Sequence, residues 1–239
     1  MLTPILIFLL TICAGFIQRV SGFGFGIFVM MFFPCFLPSY GESTALSGML
    51  AGSTALVIAV RNFGHIQWRV MLPLLLTNIV ASFVAIEYMA SMSSGALKKC
   101  FGAMFVAIAL YFLFFDGKRK IPHNGFTKTF LGALSGVMGG MFAMPGPPIV
   151  LYCINCIKGK MAYVATLQAF SVVLNIFYSA FRARVGFFGD DILLWWTAGI
   201  IGGLIGTMLG ARLFARIDGN VLKRIVYAFL LVSGVAAML

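Results

Sequence analysis

The chain has 239 residues, of which 62% are hydrophobic and only 10% charged. Soluble domains are about 45–50% apolar and about 25% charged, and even large ones leave roughly a quarter of their unfolded surface wet. The composition therefore excludes a soluble enzyme, a DNA-binding domain and a disordered chain. The net charge of +11 reads as basic loops at an anionic leaflet instead of a nucleic-acid surface.

A membrane-spanning helix takes about 20 residues, so the length allows some six to ten crossings and no separate soluble domain. The apolar runs are continuous and do not alternate, which excludes a membrane β-barrel. The whole chain, 1–239, reads as one all-α, polytopic transmembrane domain. Met1–Phe16 is apolar without a basic leader, and Ile12 precedes Cys13 where a lipoprotein signal would have a small residue. This segment is expected to be a retained helix. The five cysteines, Cys13, Cys35, Cys100, Cys153 and Cys156, all fall in apolar segments and read as small buried hydrophobes.

In chain order, apolar segments fall at about 4–18, 25–37, 41–60, 70–90, 99–115, 126–143, 147–157, 161–181, 191–214 and 220–239. Six approach spanning length. The segments 25–37 and 147–157 are too short to cross at about 1.5 Å per residue. Each follows a break, Ser21-Gly22-Phe23-Gly24-Phe25-Gly26 in one case and Met144-Pro145-Gly146-Pro147-Pro148 in the other. Non-helical backbone at membrane depth requires protein or a water-filled cavity around it.

A shift of about 122–125 residues superposes two halves, repeat 1 over about 1–115 and repeat 2 over about 126–239, joined by a basic loop at 116–125. Gly22 falls on Gly146, Thr44 on Thr166 and Gly64 on Gly186. The stripe Thr77, Ala81, Ala85 falls on Gly199, Gly203, Thr207. If each broken segment enters and returns on one side, twelve basic residues share a side: Arg61, Arg69, Lys118, Arg119, Lys120, Lys128, Lys158, Lys160, Arg212, Arg216, Lys223 and Arg224. The other side holds four, Lys98, Lys99, Arg182 and Arg184, in loops. That bias puts both termini outside. It leaves about three spanning helices and one re-entrant broken hairpin per half, an odd number of crossings that makes the repeats inverted.

Inverted repeats with interrupted helices are a transporter architecture whose site lies near the midplane. Helix N-termini there attract anions, glycine admits close backbone approach, and proline suits a first helical turn. The candidate binding residues are Arg19, Ser21, Gly22, Gly24, Pro145, Gly146, Pro147, Gln168 and Asn175. Arg19 precedes the first break and would supply charge if it lies deep, or snorkel to an interface if it does not. Gln168, Ser171 and Asn175 share one helix face and would line a polar cavity or bridge helices. Gln18 and Asn78 are further polar residues in apolar segments. The glycines 199, 202, 203, 206 and 210 read as close helix packing. Cys153 and Cys156 carry the alternative of a membrane assembly or thiol-redox protein, and an anion channel is a third reading. No phosphate loop, serine–histidine–acid set or zinc motif is present in the sequence, and no enzyme activity, metal or cofactor is expected.

The two breaks, with Gly139-Gly140-Met-Phe-Ala-Met before the second, resemble the sulfite exporter TauE/SafE family. Gly64-His-Ile-Gln-Trp-Arg69 and the stretch Ala162–Asn175 share the resemblance, which covers nearly the whole chain. It implies a bacterial or archaeal inner-membrane permease for small sulfur anions such as sulfite or sulfonates, with lipid and the anion as partners and a proton as a candidate coupling ion. The second break carries Gly-Pro-Pro where many members have a glycine triplet.

The charge count predicts topology. A reporter active only in the cytoplasm is expected to be silent when fused after Leu239 and active when inserted near Lys120; the reverse pattern contradicts the re-entrant arrangement.

Overall fold

The computed structural model describes residues 2–93, 95, 97, 100, 122, 124–216 and 221. The expected segments 99–115 and 220–239, most of the loop 116–125, and Lys98, Lys99, Lys223 and Arg224 lie outside the described residues. The rest is helical: α1 (Leu2–Ser21), α2 (Phe25–Met30), α3 (Phe33–Phe36), α4 (Tyr40–Arg61), α5 (Trp68–Ala90), α6 (Gly125–Phe142), α7 (Gly146–Cys156), α8 (Lys160–Arg184) and α9 (Ile192–Arg216), with a 3-10 turn over Phe63–His65. Helices α1, α4, α5, α8 and α9 are long and apolar enough to cross a membrane.

Local chemistry sets several boundaries. Ser39 caps α4 by accepting from the Glu42 N–H at 3.0 Å, and Asn124 caps α6 by accepting from the Thr127 N–H at 2.8 Å, each satisfying an orphan donor. The segment expected as one piece over 25–37 is two helices. Pro34 stands in the first turn of α3; its ring would meet the carbonyl of Met30 in a continuous helix, so α2 stops there. The last spanning segment of the middle group runs further than its apolar stretch, to Arg184, which places Arg182 inside α8 and not in a loop.

The helices pack as an exchange between the halves. The strongest contacts pair α1 with α9, α5 with α6, and α4 with α8. The first helix of each half thus lies against the last long helix described in the other. Both seams are parallel and made by small residues. On α9, Gly202, Gly206 and Gly210 rest on the backbone carbonyls of Phe8, Ile12 and Phe16. On α6, Gly132, Gly136 and Gly140 rest on Thr77 and Leu74, Asn78 and Ala81, and Ser82 and Ala85. The stripe Thr77, Ala81, Ala85 therefore meets the glycines of α6, while its counterpart Gly203 meets Gly15 of α1. At the centre α4 and α8 run antiparallel, with Gly41 against Phe187 and Gly52 against Asn175.

Burial is inverted relative to a water-soluble bundle. On α5, Leu72, Leu76, Val80 and Val84 are 48–69% exposed, whereas Asn78 and Ser82 are fully buried. An apolar face this continuous needs lipid, and the polar residues face other helices.

The seams give a stability prediction. A side chain at Gly206 collides with the Ile12 carbonyl, and overpacking costs about 1–3 kcal/mol. Gly206→Val is expected to lower the thermal midpoint of the detergent-purified protein by about 2–10 °C. Gly64→Val, where a Cβ meets nothing within 4 Å, is expected to leave it unchanged.

Candidate functional site at the paired helix breaks

The first break follows Ser21. Gly22 and Gly24 take φ of 86° and 98°, a left-handed backbone that glycine adopts without a Cβ penalty. The Ser21 hydroxyl donates to the Ile17 carbonyl at 2.7 Å and accepts from the Phe23 N–H at 3.3 Å. Gln168 reaches across from α8 and donates to the Gly22 carbonyl at 2.9 Å. Its own oxygen accepts from Gln18 at 3.0 Å, and Gln18 in turn accepts from Thr54 at 2.7 Å. Four buried polar groups from three helices thus hold one interrupted strand of backbone.

The second break follows Phe142. The residue with positive φ here is Ala143, at 58°, and not a glycine. Its N–H bonds to the Gly139 carbonyl at 3.1 Å, the closure of an αL cap, and that of Met144 to the Met138 carbonyl at 3.3 Å. Ser135 donates to the Pro145 carbonyl at 2.6 Å and accepts from Asn78 at 2.8 Å. Asn78 accepts from the Tyr178 hydroxyl at 2.7 Å. Arg182, fully buried, donates to the carbonyls of Gly139 and Gly140 at 2.7 and 2.9 Å, where the C-terminal dipole of α6 favours a cation.

The two breaks meet. Gly26 lies directly on the Ala143 carbonyl, and a Cβ on Gly146 would stand 3.0 Å from the Phe23 ring. Between them is a cavity of about 50 Å³, walled by Gly22–Ile27 of one half and Ala143–Gly146 of the other, together with Gln18, Ser171 and Asn175. None of the described residues lining it is charged. No side chain caps the N-terminus of α2 or of α7, so the first-turn N–H groups that follow each break lack an intrahelical partner. Pro145, Pro147 and Pro148 carry no N–H, which leaves Gly146 as the free donor at the start of α7.

The sulfite exporter TauE/SafE family matches residues 7–237. The chain belongs to the sulfite exporter TauE/SafE family. Membership makes it a multi-pass membrane transporter of the sulfite-exporter type. No curated protein and no solved structure matches the chain.

In this TauE/SafE chain Gly22, Gly24, Pro145, Gly146 and Asn175 line the cavity. Ser21 and Gln168 stand behind it and hold the first break. Pro147 is buried in the first turn of α7. Arg19 lies away from the cavity, its guanidinium 4.8 Å from the centre of the Phe214 ring, which Lys160 also covers at 4.3 Å. Gln18, Ser171, Phe23 and Ala143 are lining residues that the sequence did not single out as binding residues. Gln18 and Ser171 carried a signal as polar residues in apolar helices, and Ser171 lies between Gln168 and Asn175 on their face. Ala143 carried none, because its left-handed backbone comes from the closure of α6. Cys153 is buried in α7 and Cys156 is half-buried.

The Gln168 bridge gives a prediction. Gln168→Leu strands the Gly22 carbonyl and one N–H of the Gln18 amide, whose other N–H stays on the Ala51 carbonyl, at about 1–3 kcal/mol for each unsatisfied group. Its thermal midpoint is expected to fall by several degrees, while Gln67→Leu, at the half-buried N-cap of α5 and with no side-chain cap hydrogen bond to lose, is expected to leave the midpoint near that of the parent protein.

Proposed function

We propose that the protein is a secondary transporter, an export permease for small sulfur-containing anions such as sulfite or sulfonates, whose binding site is the cavity between the two breaks. The observation that carries this reading is that one interruption from each half walls the same buried cavity. A single water needs about 10–15 Å³ of such space, so about 50 Å³ accommodates one small oxyanion or a sulfonate head group. With no charged lining residue, the anion is held by backbone N–H groups after each break and by the positive ends of α2 and α7. Gln18, Ser171 and Asn175 orient it.

The exchanged, parallel packing of α1 on α9 and α5 on α6 supports two inverted repeats. Each would contribute a re-entrant broken hairpin, with the central pair α4 and α8 between them. Alternating access then follows from rocking one repeat against the other. On this reading both termini lie outside a bacterial or archaeal inner membrane, and an ion gradient such as that of protons drives net export.

In proteoliposomes loaded with sulfite, the purified protein is expected to show saturable uptake of labelled sulfite and counterflow, which a channel does not give. Gly24→Val forces a β-branched residue into left-handed backbone, and Gly146→Val presses on Phe23. Charge-assisted hydrogen bonds are worth roughly 1.5–3 kcal/mol each, so either variant is expected to lower transport about ten- to a hundred-fold while still reaching the membrane. Uptake at the parent rate in both variants contradicts the site.

A further inference from the structure

Arg182 is the largest fully buried side chain among the described residues. Only its Nη2 is used, on the two α6 carbonyls. Its Nε and Nη1 are buried with no hydrogen-bond partner among the described residues. No described carboxylate pairs with it; the described ion pair is Arg184–Glu87, at the exposed end of the same helix. A buried cation without a counter-ion is costly, and an ionisable residue inside a membrane protein marks a site by default. Tying α6 requires one edge of the guanidinium and leaves the other edge unexplained.

Its position supplies the explanation. Gln168, Ser171, Asn175, Tyr178 and Arg182 are spaced three and four apart, so they form one stripe along α8. Asn175 lines the central cavity. On the facing helix α4, Gly48 has no side chain. A Cβ placed there would be 2.9 Å from Arg182 Nη1 and 3.0 Å from Asn175 Oδ1. Asn175, at the cavity's edge, and the unused side of the guanidinium therefore come up against the same bare backbone, that of Gly48. The Tyr178 ring, 5.3 Å from the guanidinium carbon, braces the cation.

We propose that Arg182 is a second anion station, which receives the small oxyanion through Nε and Nη1 beyond Asn175 on its way from the central cavity. This rests on the reading of the protein as a carrier of small anions. The transported anion is then the missing counter-ion, and the cavity needs no charged residue of its own because the charge stands one step along the path.

The test is the concentration dependence of labelled sulfite uptake in proteoliposomes. Arg182→Gln is expected to raise the half-saturating sulfite concentration about ten- to a hundred-fold, and Arg182→Lys, which keeps the charge, to recover most of that loss. Gly48→Ala, whose Cβ would press on Arg182 Nη1 and Asn175 Oδ1, is expected to slow uptake. Half-saturation unchanged in Arg182→Gln overturns the proposal. So does an Arg182→Lys protein that is as scarce in the membrane as Arg182→Gln while both transport normally per molecule, because the residue then only ties α6. If Arg182→Gln does not reach the membrane, normal half-saturation in both Arg182→Lys and Gly48→Ala overturns it. Failure of the parent protein to take up sulfite or a sulfonate refutes the carrier reading itself and is seen before any variant is compared.

Discussion

Everything in this structure follows from the cost of interrupting a helix where no water is available. A spanning helix satisfies its own N–H and C=O groups, and a break exposes them to a medium that offers no partner. At each break the protein supplies the partners from elsewhere in the fold. The Gly22 carbonyl is met by Gln168, which Gln18 and Thr54 hold in turn. The Pro145 carbonyl is met by Ser135, behind which stand Asn78 and Tyr178. The carbonyls are provided for by side chains, whereas the N–H groups that start α2 and α7 are not capped by any. That asymmetry is what the proposal of an anion site in the shared cavity rests on.

The glycine seams explain how breaks so far apart in sequence come to face each other. Parallel packing of α9 on α1 and of α6 on α5 at backbone contact distance brings the two halves closely together. The antiparallel pair α4 and α8 fills the middle and carries the polar stripe. Because Gly26 touches the Ala143 carbonyl, neither break is shaped independently. A change in the seam geometry would move one wall of the cavity relative to the other, as the proposed carrier mechanism requires.

Much of this was legible in the sequence, for physical reasons that differ by residue. The helix segments show because lipid demands long apolar runs. The breaks at Ser21–Gly26 and Met144–Pro148 show because glycine and proline disrupt those runs, and the small-residue stripes show because close packing needs them. The division of 25–37 at Pro34 was missed, since the segment is apolar throughout and only the proline marks the boundary. The sequence places Arg182 in a loop because a cation ordinarily ends an apolar run; its burial depends on α6 presenting two carbonyls to it, a long-range fact. The roles of Gln18 and Gln168 as a bridge behind the cavity, with Gln18 at its edge, likewise required knowing which helices meet. From the sequence Arg19 is either a deep charge or a snorkelling one; in the structure it lies beside Phe214 and Lys160 and does not line the cavity.

The most direct test of the paired-break site is to see the anion in it. Diffraction from crystals grown with selenate, a tetrahedral oxyanion with a strong anomalous signal at the selenium edge, locates the ligand without reliance on activity. The account predicts an anomalous peak between the two breaks, within hydrogen-bond distance of backbone N–H groups in Gly24–Ile27 and at Gly146. A peak elsewhere in the protein, with the space between the breaks empty, would contradict it.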